Sequence, residues 1–169
     1  MGLDISAYDD LQFEKIDIDE ESDIDYELIY IYNNTDFPET SSGFKNGYYK
    51  HNGKNETRFR AGSYSGYNRW RSQLCEMVNN VSTDDVFEEY QNFTDLNKEL
   101  KMMELIFFSD CEGYIGTKAS QKLFQEFQDN QTLAIEYSQK NDDKNFLNTY
   151  TEFLLAFKIA SNDGVVSFH

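Results

Sequence analysis

The stretch RFRAGSYSGYNRWR, residues 58–71, holds every arginine of a 169-residue chain whose formal net charge is -16. A guanidinium is a planar fork that grips phosphate or carboxylate through paired hydrogen bonds. Period-two alternation sets Arg58 and Arg60 on one face of a strand, with Phe59 and Ala61 on the other. The small-residue segment Gly62 to Gly66 then breaks the strand. From Tyr67 onward, Trp70, Leu74, Met77 and Val78 recur at helical spacing. A strand, a turn and a helix start in that order expose backbone N–H groups where the helix dipole favours an anion. Ser63 and Ser65 add hydroxyls, Tyr64, Tyr67 and Trp70 add rings that can stack, and Arg71 adds a further cation. The expected site therefore takes a small anionic, nucleotide-like ligand, with Arg58, Arg60, Ser63, Tyr64, Ser65, Tyr67, Trp70 and Arg71 around it. The stretch lacks both the Walker and the dinucleotide glycine fingerprints. The competing reading pairs the arginines with the chain's own 31 carboxylates. It also places Trp70 in the core and leaves at least one of Arg69 and Arg71, two apart on a helix, at the surface.

SDCEGYIG, residues 109–116, is the second candidate, read as a loop following a strand over MELIFF, residues 103–108. Asp110 and Glu112 join the candidate ligand-binding residues as a second wall. As metal ligands they are too few, with no third donor at a standard spacing. Cys111 acts as a nucleophile only with a base beside it, and the chain offers only His51 and His169. Two isolated histidines make neither a zinc set nor a triad. The expectation is a binding protein with no catalytic residue, cofactor or metal, and an enzyme ranks behind it.

Charge is unevenly spread. Residues 1–45 carry 13 acids and two bases (net -11), residues 46–72 one acid and six bases (net +5), and residues 73–169 17 acids and seven bases (net -10). A polymeric phosphate backbone would meet the acidic flanks, so direct nucleic-acid binding is not expected. A small anion touching only the basic island escapes most of that repulsion, because charges beyond roughly 8 Å are screened. The acidic run at residues 17–27 supports an alternative in another class: a nucleic-acid mimic that inhibits a host nucleic-acid-targeting defence enzyme.

The chain reads as one domain over residues 1–169, with an aromatic content of 16% and a single proline. No apolar run reaches the roughly 18 residues of a membrane span. The N-terminus lacks a signal-peptide pattern, and both expectations point to the cytoplasm. Strands are expected over LDISAY, LQFEKIDI, residues 27–32 and the closing VVSFH. A hairpin is expected with Asn52-Gly53 at its turn. Helices are expected from Tyr67 to about Asn79, after the STDD cap, over TKASQKLFQEFQ, over residues 131–139, and from Asp142 or Asp143 through FLNTYTEFLLAFKIA. Strands come first and helices later. The expected class is α+β, with N-terminal strands forming a mostly antiparallel sheet packed against C-terminal helices.

MGLDISAY, FRAGSYSGYNRWR, FSDCEGYIG and GVVSFH together resemble a family of small acidic proteins of bacteria and phages. The resemblance spans both ends and the middle of the chain. It implies a cytoplasmic, phage-borne protein with a part in phage–host conflict. It marks Arg60, Ser63, Tyr64, Ser65, Tyr67, Trp70, Asp110, Glu112 and His169 as positions to test, without supplying their roles.

Overall fold

The computed structural model describes residues 2–15, 28–32, 37, 40, 43–89, 100–108 and 112–169. In chain order its strands are β1 (Gly2–Tyr8), β2 (Leu11–Glu14), β3 (Leu28–Ile31), β4 (Gly47–His51), β5 (Glu56–Ser63), β6 (Gly113–Gly116) and β7 (Val165–Phe168). Its helices are α1 (Tyr64–Asn79), α2 (Thr83–Glu89), α3 (Met103–Ile106), α4 (Thr117–Asp129), α5 (Gln131–Asn141) and α6 (Lys144–Ala160). The acidic run at 17–27, Asp110 and Cys111 lie outside the described residues.

All pairings are antiparallel, in one sheet of order β5-β1-β7-β6 and a second of order β2-β4-β3. The fold is α+β, as the strand-then-helix order implies. The late strands β6 and β7 nevertheless return to complete the first sheet.

The two sheets are arms of one bent ribbon. β1 runs against β5 from Tyr8 opposite Glu56 to Gly2 opposite Ser63, and β2 runs against β4 from Leu11 opposite His51 to Glu14 opposite Tyr48. The expected hairpin at Asn52-Gly53 does not form, because β4 and β5 pair with different strands. Asp9 organises this segment instead. Its carboxylate accepts from the Asn55 amide nitrogen at 3.2 Å and from Asn55 Nδ2 at 2.7 Å. A Cβ on Gly53 would lie 1.5 Å from Asp9 Oδ1, so glycine is required there for close approach.

The helix-facing side of the first sheet carries Leu3, Ile5, Phe59, Ala61, Ile115, Val166 and Phe168. Against it pack the apolar stripes of α1, α4 and α6. Phe153 of α6 is central: its ring lies 4.8 Å from Trp70, stacked, and 5.1 Å edge-on from Phe59. Asp143 caps α6 by accepting from the Phe146 amide at 2.9 Å. Part of the opposite side of the sheet meets the second sheet. There Leu11, Ile31 and Tyr49 bury Val165, and Tyr8, Ile29 and Tyr114 pack around them.

Two element types differ from expectation. MELIFF forms a helical turn, with Ile106 N bonding Met102 O at 2.9 Å and Phe107 N bonding Met103 O at 2.8 Å. A short, mostly apolar run suits a buried strand or a buried helix equally, and here the whole Met103–Ile106 segment is buried as a helix. GYIG, expected in a loop, is strand β6, paired to β7 from Gly113 opposite Phe168 to Gly116 opposite Val165. Among the described residues, no helix is long and apolar enough to cross a membrane.

Candidate functional site

Register places Asp4 opposite Arg60 and Ser6 opposite Arg58, and Ser6 opposite Ser167. Directly opposed residues share a face, so these side chains stand together away from the helices. Arg58 and Arg60 thus share one strand face, as the alternation predicts, and both are exposed. They do not converge on the strand–helix junction. A Cβ on Gly2 would fall 1.9 Å from Arg60 Nη2, so Arg60 lies across Gly2, the residue paired with Ser63. Arg58 leans the other way, its Nη2 donating to Tyr8 Oη at 3.5 Å. Neither makes an ion pair with a carboxylate among the described residues.

The junction itself is tighter than a turn. Ser63 ends β5 and caps α1, its Oγ accepting from Gly66 N at 3.1 Å and lying 3.2 Å from Ser65 Oγ. Tyr64, Ser65 and Gly66 are therefore the exposed first turn of the helix, three residues before the periodic stripe begins.

Tyr67, Trp70 and Arg71 lie on the opposite side of the sheet, in the core, at 4%, 4% and 5% exposure. Trp70 Nε1 donates to Phe146 O at 3.2 Å. Arg71 Nη1 donates to Ile106 O at 2.7 Å, and its guanidinium lies 5.5 Å from the Tyr67 ring centre. Burial holds the Arg71 guanidinium below its ordinary pKa and pushes the Tyr67 hydroxyl well above its own, with Arg71 opposing the latter. Burial likewise raises the Cys75 thiol. The sheet therefore divides the arginine stretch: Arg58 and Arg60 face one side, Tyr67, Trp70 and Arg71 the other. Glu112, beside β6, stands three strand spacings from β5, roughly 14 Å. The pairing of the two loops as facing walls is thus not what the sheet order produces.

Beside Arg58 opens a cavity of about 380 Å³ lined by Asp4, Ser6, Tyr8 and His169. His169 Nε2 lies 3.1 Å from Ser6 Oγ and Nδ1 lies 3.4 Å from Ser167 Oγ. Backbone bonds in both directions between His169 and Asp4, at 2.7 and 3.0 Å, hold the histidine at the sheet. A second cavity of about 420 Å³ lies between the two sheets and shares Tyr8 and Arg58 with the first. His51, Lys50, Glu56 and Ile29 line it. Asp9 Oδ1 holds His51 Nε2 at 3.1 Å, while His51 Nδ1 stands 3.9 Å from Glu56 Oε2. Burial raises the Asp9 carboxyl, but the bonds from Asn55 and His51 outweigh it and hold it below its ordinary value.

The two histidines are isolated in sequence, and the structure gives each a polar partner. A signal for His169 was present: alternation in VVSFH puts Ser167 and His169 opposite the apolar Val166 and Phe168. His51 carried no such signal, because its partner Asp9 is 42 residues away across the ribbon bend.

No family model matches this chain, and neither does any curated protein or solved structure.

Proposed function

We propose that this protein binds a small anionic, nucleotide-like ligand on the open face of the four-stranded sheet. The observation that carries this reading is the pair Arg58 and Arg60: two exposed guanidiniums without carboxylate partners among the described residues, one of them on the rim of a cavity floored by Ser6, Tyr8 and His169. A guanidinium fork supplies charge-assisted bonds to phosphate, Ser6 and His169 supply polar contacts, and Tyr8 offers a ring for a base. The chain's charge of -16 selects for size, admitting a mononucleotide or a short oligonucleotide and repelling a polymer. The family resemblance adds a setting, a phage protein that sequesters a host defence signal. Cytoplasmic residence belongs to the same reading.

Calorimetry with adenosine mono- and diphosphate, a cyclic dinucleotide and inorganic phosphate tests it. Losing one charge-assisted fork costs about 1.5–3 kcal/mol, so Arg58→Ala is expected to weaken binding roughly 10- to 100-fold. No heat from the unaltered protein with any phosphorylated compound would refute the reading.

A further inference from the structure

The cavity between the sheets holds more than a binding surface needs. His51 is gripped at Nε2 by a buried carboxylate, Asp9, which Asn55 fixes through its backbone amide and its side chain. Asp9 is only 4% exposed, so its orientation is set by those bonds rather than by solvent. That leaves His51 Nδ1 as the ring nitrogen turned toward Glu56. A carboxylate orienting one imidazole nitrogen while the other addresses the substrate is the arrangement that acid–base catalysis uses. The 3.9 Å between Nδ1 and Glu56 Oε2 is too long for a direct bond. The two groups are thus within ion-pair reach without bonding each other directly, which leaves both free to address a ligand in the cavity. Arg58 lines the same cavity and is the shared wall with the anion cavity. The other charged or titratable groups facing His51 are Lys50, Tyr8, Glu56 and Asp9. The Tyr8 ring packs edge-on against the imidazole at 5.4 Å.

We infer that this cavity is an acid–base site that cleaves short ribonucleotide phosphodiesters by internal transesterification. Glu56 takes the proton of the ribose 2′-hydroxyl, whose oxygen attacks the neighbouring phosphorus. The bond from phosphorus to the leaving ribose oxygen breaks as His51 Nδ1 delivers its proton to that oxygen. The products are a cyclic phosphate and a free hydroxyl, so atoms and charge balance without water or any co-reactant. Arg58 neutralises the charge that gathers on the non-bridging oxygens. Asp9 is a positioning residue that keeps Nδ1 aimed at the leaving oxygen. The Ser6–His169 pair of the first cavity has no carboxylate bonded to the imidazole among the described residues and carries no comparable argument.

The inference rests on the anion-binding reading through Arg58, and the experiment separates the two. The probe is the ribodinucleotide adenylyl-adenosine, incubated with the full chain and with chelator present, its products resolved by mass. Appearance of the cyclic phosphate is expected, with His51→Gln and Glu56→Gln each slowing it about 100-fold or more. Both side chains are partly solvent-facing, so neither change threatens the core. Asp9→Asn should alter the pH profile of cleavage as well as its rate, which a purely structural role would not do. The deoxy analogue, which lacks the attacking hydroxyl, should bind in calorimetry and stay intact. Binding of the deoxy analogue with no cyclic phosphate from the ribose form overturns the inference and leaves the binding reading standing. Cyclic phosphate formed equally fast by the His51→Gln, Glu56→Gln double variant also overturns it. Absence of both binding and cleavage overturns both readings.

Discussion

Two tyrosines in the same core should respond to loss of their hydroxyls with opposite signs. Tyr67 Oη is buried without a hydrogen-bond partner among the described residues, and the residue is only 4% exposed. Its ring stacks at 6.1 Å from Trp70, so the aromatic body is well used while the hydroxyl is not. An unsatisfied buried hydroxyl costs about 1–3 kcal/mol. Tyr67→Phe keeps the ring and removes that cost, leaving only a small void, and should stabilise the fold by about 1–2 kcal/mol. At about 2–4 °C per kcal/mol for a chain of this size, the melting temperature rises by roughly 2–8 °C. Tyr150 is the contrast: its Oη donates to Phe127 O at 2.6 Å in the interior. Tyr150→Phe strands that carbonyl and should cost about 1–2 kcal/mol. Urea titrations of both variants, with the slope of the transition checked for constancy, measure the difference. A Tyr67→Phe protein less stable than the parent by 1 kcal/mol or more, on the order of the hydrogen-bond value, would show that the hydroxyl is bonded in solution and refute the reasoning.

Stability should fall in acid through Asp9. Its folded carboxyl titrates below its ordinary value, so its contribution is complete above the roughly 4 of an unfolded aspartate and disappears as pH drops below it. Asp9→Asn should flatten that part of a pH–stability profile, and an unchanged profile would contradict the bond set given to Asp9. Gly53→Ala should displace the Asp9 carboxylate, because the new Cβ would lie on top of Oδ1. A shift of the His51 imidazole resonances in NMR, with the α6 signals unmoved, is the expected outcome.

The α+β class and the helices were legible because their periodicity is local. The stripe Phe146, Tyr150, Phe153, Phe157 at α6 declares its buried face without any tertiary information. MELIFF could not be assigned that way, since so short an apolar-rich run satisfies either period. Asn52-Gly53 has the composition of a tight turn, yet the glycine serves close approach of Asp9, a contact with no local trace. The arginine stretch was legible as strand followed by helix, and alternation placed Arg58 and Arg60 together. What the sequence could not show is that a strand leading directly into a helix sends its outward residues to one side of the sheet and the helix stripe to the other. Tyr67, Trp70 and Arg71 are adjacent to the arginine pair in sequence and separated from it by a layer of backbone.

The ribbon bend is what links the two cavities. Because residues 2–14 and 47–63 pair on both sides of Asp9, the second sheet meets the open face of the first around Val165 and Tyr8. There Tyr8 and His51 sit in a partly enclosed setting, where a charge acts more strongly than in water, and Glu56 stands at its exposed edge. The uncovered part leaves Arg60, Asp4 and His169 exposed. Arg58 stands at the boundary and lines both cavities. On the proposed binding reading, a ligand with one phosphate can reach Arg58 from either side, but only a longer one would engage Arg60 and His51 together. Length along the sheet face is then expected to discriminate among those small anions that the chain's net charge admits, and a dinucleotide should lose more affinity than a mononucleotide on Arg60→Ala in calorimetry.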